Sequence, residues 1–255
     1  KHGHLPEVIC RKIMGLAHSP KIITDGLVLC FDAADPKSYS GSGSTVYNRA
    51  DSSTYPSIVL TGDTSNYGSI GNGYVTLGGS GNADSSGVYL NGAGDLSSTT
   101  NNDFTTSGWM YRFSGYSNAG QEIMTYRRHH TRLDFSVNDS AMYFQQRRAV
   151  SPFDTNTTST SVTNSRDVWE HFTVVKTSNQ ISFFKNGSLI ATNSYTFTET
   201  IVTTNNFSIG LSWSDDDYLG RALNGRIGPT YHYNRVLTAE EIAQNFNATK
   251  DRFGV

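Results

Sequence analysis

The feature that most constrains this chain is its punctuation. Short β-prone runs recur from Leu27 to Tyr233, among them Leu27–Phe31, Tyr74–Leu77, Phe104–Phe113, Trp169–Lys176, Gln180–Lys185, Phe207–Leu211 and Gly225–Tyr233. Nearly all are bounded by Gly, Asn, Asp or Ser. Runs of that length, rich in β-branched and aromatic residues and closed by turn formers, are strands of a meander or Greek key. Their spacing is irregular and no block recurs, which excludes a solenoid or propeller. The 255 residues fit one all-β sandwich with a short leader, because such domains run to about 200–250 residues as one unit.

Two hairpins can be set in register. Asn186-Gly187 accepts positive φ at both positions, so a two-residue type I′ turn joins Ile181–Lys185 to Ser188–Thr192. Phe183 then opposes Ile190 and Phe184 opposes Leu189, on opposite faces. This hairpin is apolar on both sides, and its second face needs a cover. A turn at Asn138-Asp139 pairs Leu133 with Phe144 and Phe135 with Met142 on a core face. The same register gathers His129, His130, Arg127, Arg128, Arg132, Arg147 and Arg148 at the open end of that hairpin.

One helix is expected, short and close to the C-terminus. Thr238-Ala239-Glu240-Glu241 forms a capping box, Leu237 staples onto Ile242, and Ala243 and Phe246 continue the stripe. Its expected place is one end of the sandwich. Residues 1–20 mix His2, His4, Arg11, Lys12 and His18 with apolar groups at no period, which reads as an arm or linker before a domain at 21–255. With 20 basic and 22 acidic side chains the net charge is −2, which argues against nucleic acid as a partner. No apolar run is long enough to span a bilayer, so no membrane insertion is expected. Cys10 and Cys30 are too few for a disulfide framework, and Cys30 sits in an apolar run as a buried free thiol.

Particular wording then adds to these patterns. The opening Asp25-Gly26-Leu27-Val28-Leu29-Cys30-Phe31-Asp32-Ala33-Ala34-Asp35-Pro36-Lys37-Ser38-Tyr39 resembles the start of concanavalin A-like, laminin-G-like jelly-roll domains encoded by many tailed bacteriophages. Trp169-Glu170-His171 resembles that family's W-x-H strand, and Phe184-Lys185-Asn186-Gly187 its aromatic-x-N-G hairpin. Gly225-Arg226-Ile227-Gly228 with Tyr233-Asn234-Arg235-Val236-Leu237-Thr238 resembles its closing signature. Between about Ala50 and Asn102 the chain departs from the family pattern, so no loop residues carry over there. The resemblance implies a two-sheet antiparallel jelly-roll sandwich with one short C-terminal helix. It implies roles in sugar binding, adhesion and virion assembly.

Candidate chemistry is sparse. Glycosidases place paired carboxylates about 5–9 Å apart across the sugar bond, and no E-x-D-x-x-E run exists here, so no enzyme is expected. Asp215, Asp216 and Asp217 could supply hard oxygen ligands to calcium, though an acidic surface turn is the commoner meaning. Trp213 and Tyr218 bracket that turn and are the candidate sugar-stacking rings. The cluster of Arg127, Arg128, His130, Arg147 and Arg148 suits an anion or an acidic partner edge, against a solvated face. His171 has no nucleophile context and reads as structural.

The leading expectation is a non-enzymatic phage virion structural protein, either an exterior capsid decoration or tail-associated, and anchored by its N-terminal arm. Its partners would be other virion proteins, copies of itself among them, and its place the virion surface. The alternative is a carbohydrate-binding adhesion module, calcium-assisted, that takes host-surface polysaccharide. An enzyme would need carboxylates gathered from distant strands.

Overall fold

Backbone pairing divides the strands into two facing antiparallel sheets. The computed structural model describes residues 20–50, 57–61, 68–77, 89–93, 102–114, 121–128, 131–148, 155–196, 206–210 and 223–255. Of the expected arm, only Pro20 falls within them. In chain order the strands are β1 (Leu27–Phe31), β2 (Thr45–Tyr47), β3 (Ser57–Thr61), β4 (Gly68–Gly71), β5 (Tyr74–Leu77), β6 (Tyr89–Ala93), β7 (Phe104–Arg112) and β8 (Gln121–Arg128). There follow β9 (Thr131–Val137), β10 (Ala141–Arg148), β11 (Thr155–Ser161), β12 (Trp169–Lys176), β13 (Gln180–Lys185), β14 (Ser188–Ser194), β15 (Asn206–Ile209) and β16 (Gly225–Tyr233). Helix α1 (Ala239–Thr249) and a 3-10 turn (Lys250–Phe253) complete the order.

The first sheet runs β14-β13-β12-β7-β16-β5-β4, and the second β11-β10-β9-β8-β15-β6-β3-β2. Strand β16 pairs with β7 along one edge. Its other edge takes β5 at Gly225–Ile227 and β1 at Thr230–Tyr233. The result is the jelly-roll sandwich that the punctuation and the family motifs imply. Phe104, Met110, Phe172 and Phe183 of the first sheet meet Ile58, Met124, Phe135, Phe144 and Phe207 of the second in one apolar core. Burying side chains of this size contributes about 1.5–3 kcal/mol each before entropy is counted. Arg112 ties the sheets at one end: Nη1 donates to Asp139 Oδ1 at 2.8 Å, and Nη2 to Asn164 O at 2.8 Å.

Both hairpins depart in register, and only the one between β9 and β10 keeps its core face on both strands; in the other Phe183 and Phe184 are buried, while Leu189 and Ile190 on β14 are exposed. At Asn186-Gly187 both φ values are positive, 48° and 77°, as a type I′ turn requires. Phe184 opposes Leu189 as expected, but a bulge shifts Phe183 from Ile190 to Ala191. The other turn centres on Asp139-Ser140 instead of Asn138-Asp139, since Asn138 N–H donates to Ala141 O at 3.0 Å. Phe135 therefore opposes Phe144, and Val137 opposes Met142. A two-residue slip preserves the face, so Leu133, Phe135, Met142 and Phe144 all remain buried.

The helix departs further from expectation, because it covers a face of the first sheet and not an end of the sandwich. Leu237 and Ile242 join Cys30, Val175, Phe184, Tyr231 and Tyr233 in a second apolar cluster on the outer face. Thr238 caps the helix reciprocally with Glu241, as the capping box predicts. Arg235 then grips Glu241 with both terminal nitrogens, at 2.9 and 2.7 Å. Asn245 Oδ1 accepts from Ile23 N–H at 2.8 Å, and its Nδ2 donates to the Tyr233 hydroxyl at 3.0 Å, which seats residues 20–24 beside the helix. This cover buries Phe184 on the second face of the Asn186-Gly187 hairpin, while its cross-strand partner Leu189 stays exposed.

Two expectations follow. A Cβ at Gly187 would lie 3.1 Å from Phe246 and sit at positive φ. Gly187→Ala should therefore cost at least about 1–2 kcal/mol in urea unfolding, whereas an unchanged midpoint would mean that the turn and the helix are not in contact. Burial also pushes the imidazoles of His171 and His232 down to about 3. The unfolded chain takes up protons near pH 6.5 that the folded chain refuses. The stability this contributes is fully present above that pH, and falls toward pH 3 by about 1.4 kcal/mol per pH unit for each histidine. Unfolding free energy should drop steeply from pH 7 to pH 5, and His171→Phe should remove one proton's worth of that slope.

Candidate functional site

Where the helix stops covering the outer face, the sheet presents a row of rings. Register aligns Thr76, Arg226, Tyr111 and Trp169 across β5, β16, β7 and β12. Their neighbours Val75, Ile227, Met110 and Glu170 are buried toward the other sheet, so the pleat turns this row outward. Tyr74 on β5 and Phe113 just beyond β7 lie two residues along on the same face. Trp169 stands 5.6 Å from both Tyr74 and Tyr111, and Tyr111 stands 5.7 Å from Phe113, ring centre to ring centre. All four rings are partly exposed.

One edge of the row is set by the chain's last turn. Phe253 packs 4.6 Å from Trp169 and 4.5 Å from Trp109, whose indole is fully buried and donates to Thr249 Oγ1 at 2.8 Å. Gly228 is required under it, because a Cβ there would come within 2.9 Å of the Phe253 ring. The second residue of the W-x-H motif's pair, His171, faces Trp109 and Phe246 at 5.2 and 6.0 Å, and neither ring nitrogen has a hydrogen-bond partner. It is a packing residue under the helix, as its sequence context suggests.

Arg226 is the unusual group. Its guanidinium lies 4.8 Å from the Tyr74 ring centre, 5.0 Å from Tyr111 and 5.3 Å from Phe113. Its Nε is buried with no hydrogen-bond partner. The other arginines whose side chains are described all face carboxylates: Arg49 with Asp35, Arg112 and Arg166 with Asp139, Arg235 with Glu241, and Arg252 with Asp32. Among the described residues, Arg226 alone has rings in place of an anion. Rings hold a cation by their quadrupole, for about 0.5–2 kcal/mol per contact, and leave its charge uncancelled.

Sequence reasoning did not assemble this row, because its members come from four distant strands. A local signal existed in Tyr111 and Phe113, which alternate on one strand face. A second lay in Asn72-Gly73, both at positive φ, which turns β4 into β5 and sets Tyr74 at the rim. Trp213, Tyr218, Asp215, Asp216, Asp217 and His130 lie outside the described residues. The described residues on either side of the first five are joined, since Leu223 N–H donates to Gly210 O at 2.7 Å, three residues before Arg226. Arg127, Arg132 and Arg147 hold adjacent register positions on β8, β9 and β10, while Arg128 and Arg148 both flank Thr131. Among the described residues no group of three His, Cys, Asp or Glu side chains is placed to hold a metal ion.

A concavity of about 810 Å³ opens between residues 20–25, β1, β16 and helix α1. Its charged walls are cancelled from within: Arg252 holds Asp32 at 2.7 Å, and Arg235 holds both Asp25 and Glu241. Cys30 lies in it as a free, buried thiol.

A family model described as the concanavalin A-like lectin/glucanases superfamily matches residues 78–243. No curated protein matches the chain by sequence. Among solved structures, the binding domain of botulinum neurotoxin DC in complex with SialylT is similar, with a TM-score of 0.63 at 12% identity, over 88% of this chain and 52% of that one. The same domain in complex with rat synaptotagmin II gives 0.63 at 13%, over 89% and 52%. A structure of botulinum neurotoxin type C, whose cell entry is described as dependent upon interaction with two ganglioside molecules, gives 0.62 at 14%, over 88% and 51%. This chain spans about half the length of each, and at such identity the likeness shows the fold alone.

The cleft supplies a chemical check on the packing. Burial first, and then the charges of Asp32 and Asp35, push the Cys30 thiol up to about 12. In a Cys10→Ser chain, Cys30 should stay unlabelled by a disulfide reagent at pH 8 and react in full on unfolding. Rapid native labelling would contradict the seal formed by β1, β16 and the helix.

Proposed function

The chain belongs to the concanavalin A-like lectin/glucanase superfamily, and from that premise we propose that it is a non-enzymatic carbohydrate-binding module used in adhesion. The observation that carries this reading is the outward row of partly exposed rings, Tyr74, Tyr111, Phe113 and Trp169, beside Arg226. Such rings offer large apolar area with polar edges, which suits the C–H faces and hydroxyl rims of sugars. A soluble surface rarely keeps rings contiguous without a use for them. Trp213, Tyr218 and Asp215–Asp217 lie in the sequence between Gly210 and Leu223, shortly before Arg226, and a calcium-assisted extension of the same site through them is part of the proposal. The neurotoxin binding domains described with SialylT and with gangliosides support the class without fixing the ligand.

The row contains rings, a guanidinium and the hydroxyls of Tyr74, Thr76 and Tyr111, and no carboxylate among its described members. Glu170, next to Trp169, points inward and is engaged by Lys185. That favours binding over hydrolysis, which needs two carboxylates across the scissile bond. The setting we propose is the exterior of a tailed-phage virion, on capsid or tail, with residues 1–20 as the anchor. The specific support for it is the resemblance of the Asp25–Tyr39 opening to phage-encoded domains.

Purified protein should be retained on a glycan panel, with Trp169→Ala and Tyr111→Ala each weakening binding about tenfold, as expected for loss of one stacking ring. EDTA should weaken it further if calcium takes part. Retention of no glycan, or release of hydrolysis products, would sink the reading. Loss of particle association on deleting residues 1–20 is the corresponding check on the virion setting.

A further inference from the structure

We propose that the saccharide taken by the ring row is acidic, with its carboxylate seated on Arg226 and its ring stacked over Tyr111 and Trp169. This rests on the carbohydrate-binding reading and adds the charge of the ligand to it. Three observations converge. Arg226 is partly exposed and, among the described residues, is the guanidinium without a carboxylate. Three rings hold it in one orientation, at 4.8, 5.0 and 5.3 Å. Its cross-strand neighbours Tyr111 and Trp169 continue one row, so the anion seat and the stacking surface are contiguous.

The chemistry follows from what rings can and cannot do for a cation. Their faces replace part of its water without accepting the in-plane hydrogen bonds that a guanidinium fork makes, and among the described residues neither tyrosine hydroxyl accepts from Arg226. The guanidinium therefore keeps unused donors in surroundings drier than bulk water, where an anion is attracted more strongly. A planar carboxylate matches the fork with two parallel hydrogen bonds. Successive positions of the row lie about 4.8 Å apart. A carboxylate on Arg226 thus leaves the sugar that bears it over Tyr111, with Trp169 available to the next ring. Uronic and sialic acids share this chemistry.

The test titrates the full chain calorimetrically with matched pairs: digalacturonic acid against its methyl ester, and sialyllactose against lactose. At low salt the acidic member of at least one pair should bind tenfold or more tightly than its neutral partner, and the preference should shrink as salt rises. Which pair responds distinguishes a uronic from a sialic source. Arg226→Met should lower acidic binding to the neutral level. Arg226→Lys keeps the charge without the fork, so it should recover only part of the preference, and it serves as the readout if the Met variant fails to fold. Equal binding of acidic and neutral members, or a preference that survives in both variants, would overturn the inference and leave the carbohydrate reading standing. Failure to bind any of the four sugars, or any glycan on the panel, would overturn both.

Discussion

The structure depends on one constraint, that the first sheet is apolar on both faces. Its inner face meets the second sheet, as in any sandwich. Its outer face carries Cys30, Val175, Phe184, Tyr231 and Tyr233, which water would penalise if they were left bare. The chain meets this cost with helix α1 and the turn that follows it. Leu237 and Ile242 close over the cluster, and Phe246 and Phe253 bracket Trp109. The Arg235–Glu241 pair, the reciprocal cap at Thr238 and the Asn245 contacts with Ile23 and Tyr233 then fix the helix in one place.

That arrangement explains why the motif residues fall where they do. Asn186-Gly187 is a tight turn, and Gly187 must also be bare because Phe246 passes over it. His171 is the floor beneath the same phenylalanine. Gly228 leaves the space into which Phe253 settles. The opening and closing motifs are joined by Asn234 N–H donating to Gly26 O at 2.9 Å and by Arg235 reaching Asp25. These residues are thus scaffold, and they serve the site by ending the cover at a fixed line.

What sequence made legible was local in nature. Period-two alternation identified the buried face of the β9–β10 hairpin, and the capping box the start of the helix, because each depends on residues a few positions apart; on β14 Leu189 and Ile190 are exposed despite their apolar pattern. Register was less legible, since Asn138-Asp139 and Asp139-Ser140 are both acceptable turns and differ by two residues without changing a face. Strand β11 was missed because Thr155–Ser161 has no apolar residue, and its strand state comes from pairing with β10 and from the Asn193 side chain of β14. The ring row was beyond reach for a different reason. Tyr74, Tyr111, Trp169 and Arg226 become neighbours only through strand order, which no window of sequence contains.

The contrast between the ring row and the cleft beside the helix bears on where recognition occurs. In the cleft beside the helix, each guanidinium answers a carboxylate of the same chain, so an incoming anion or cation would have to break an existing pair. Such exchange gains little, because the displaced partner is left uncompensated. On the ring row, Arg226 is held by dispersion and quadrupole attraction, neither of which a ligand has to displace. A charge that is positioned but not neutralised is already organised for binding, and most of the ordering cost has been met in folding. The helix that covers the rest of the face therefore contributes to recognition indirectly. By burying Trp109 and the neighbouring rings it leaves the partly exposed row of Tyr74, Tyr111, Phe113 and Trp169 beside a guanidinium that faces no carboxylate among the described residues.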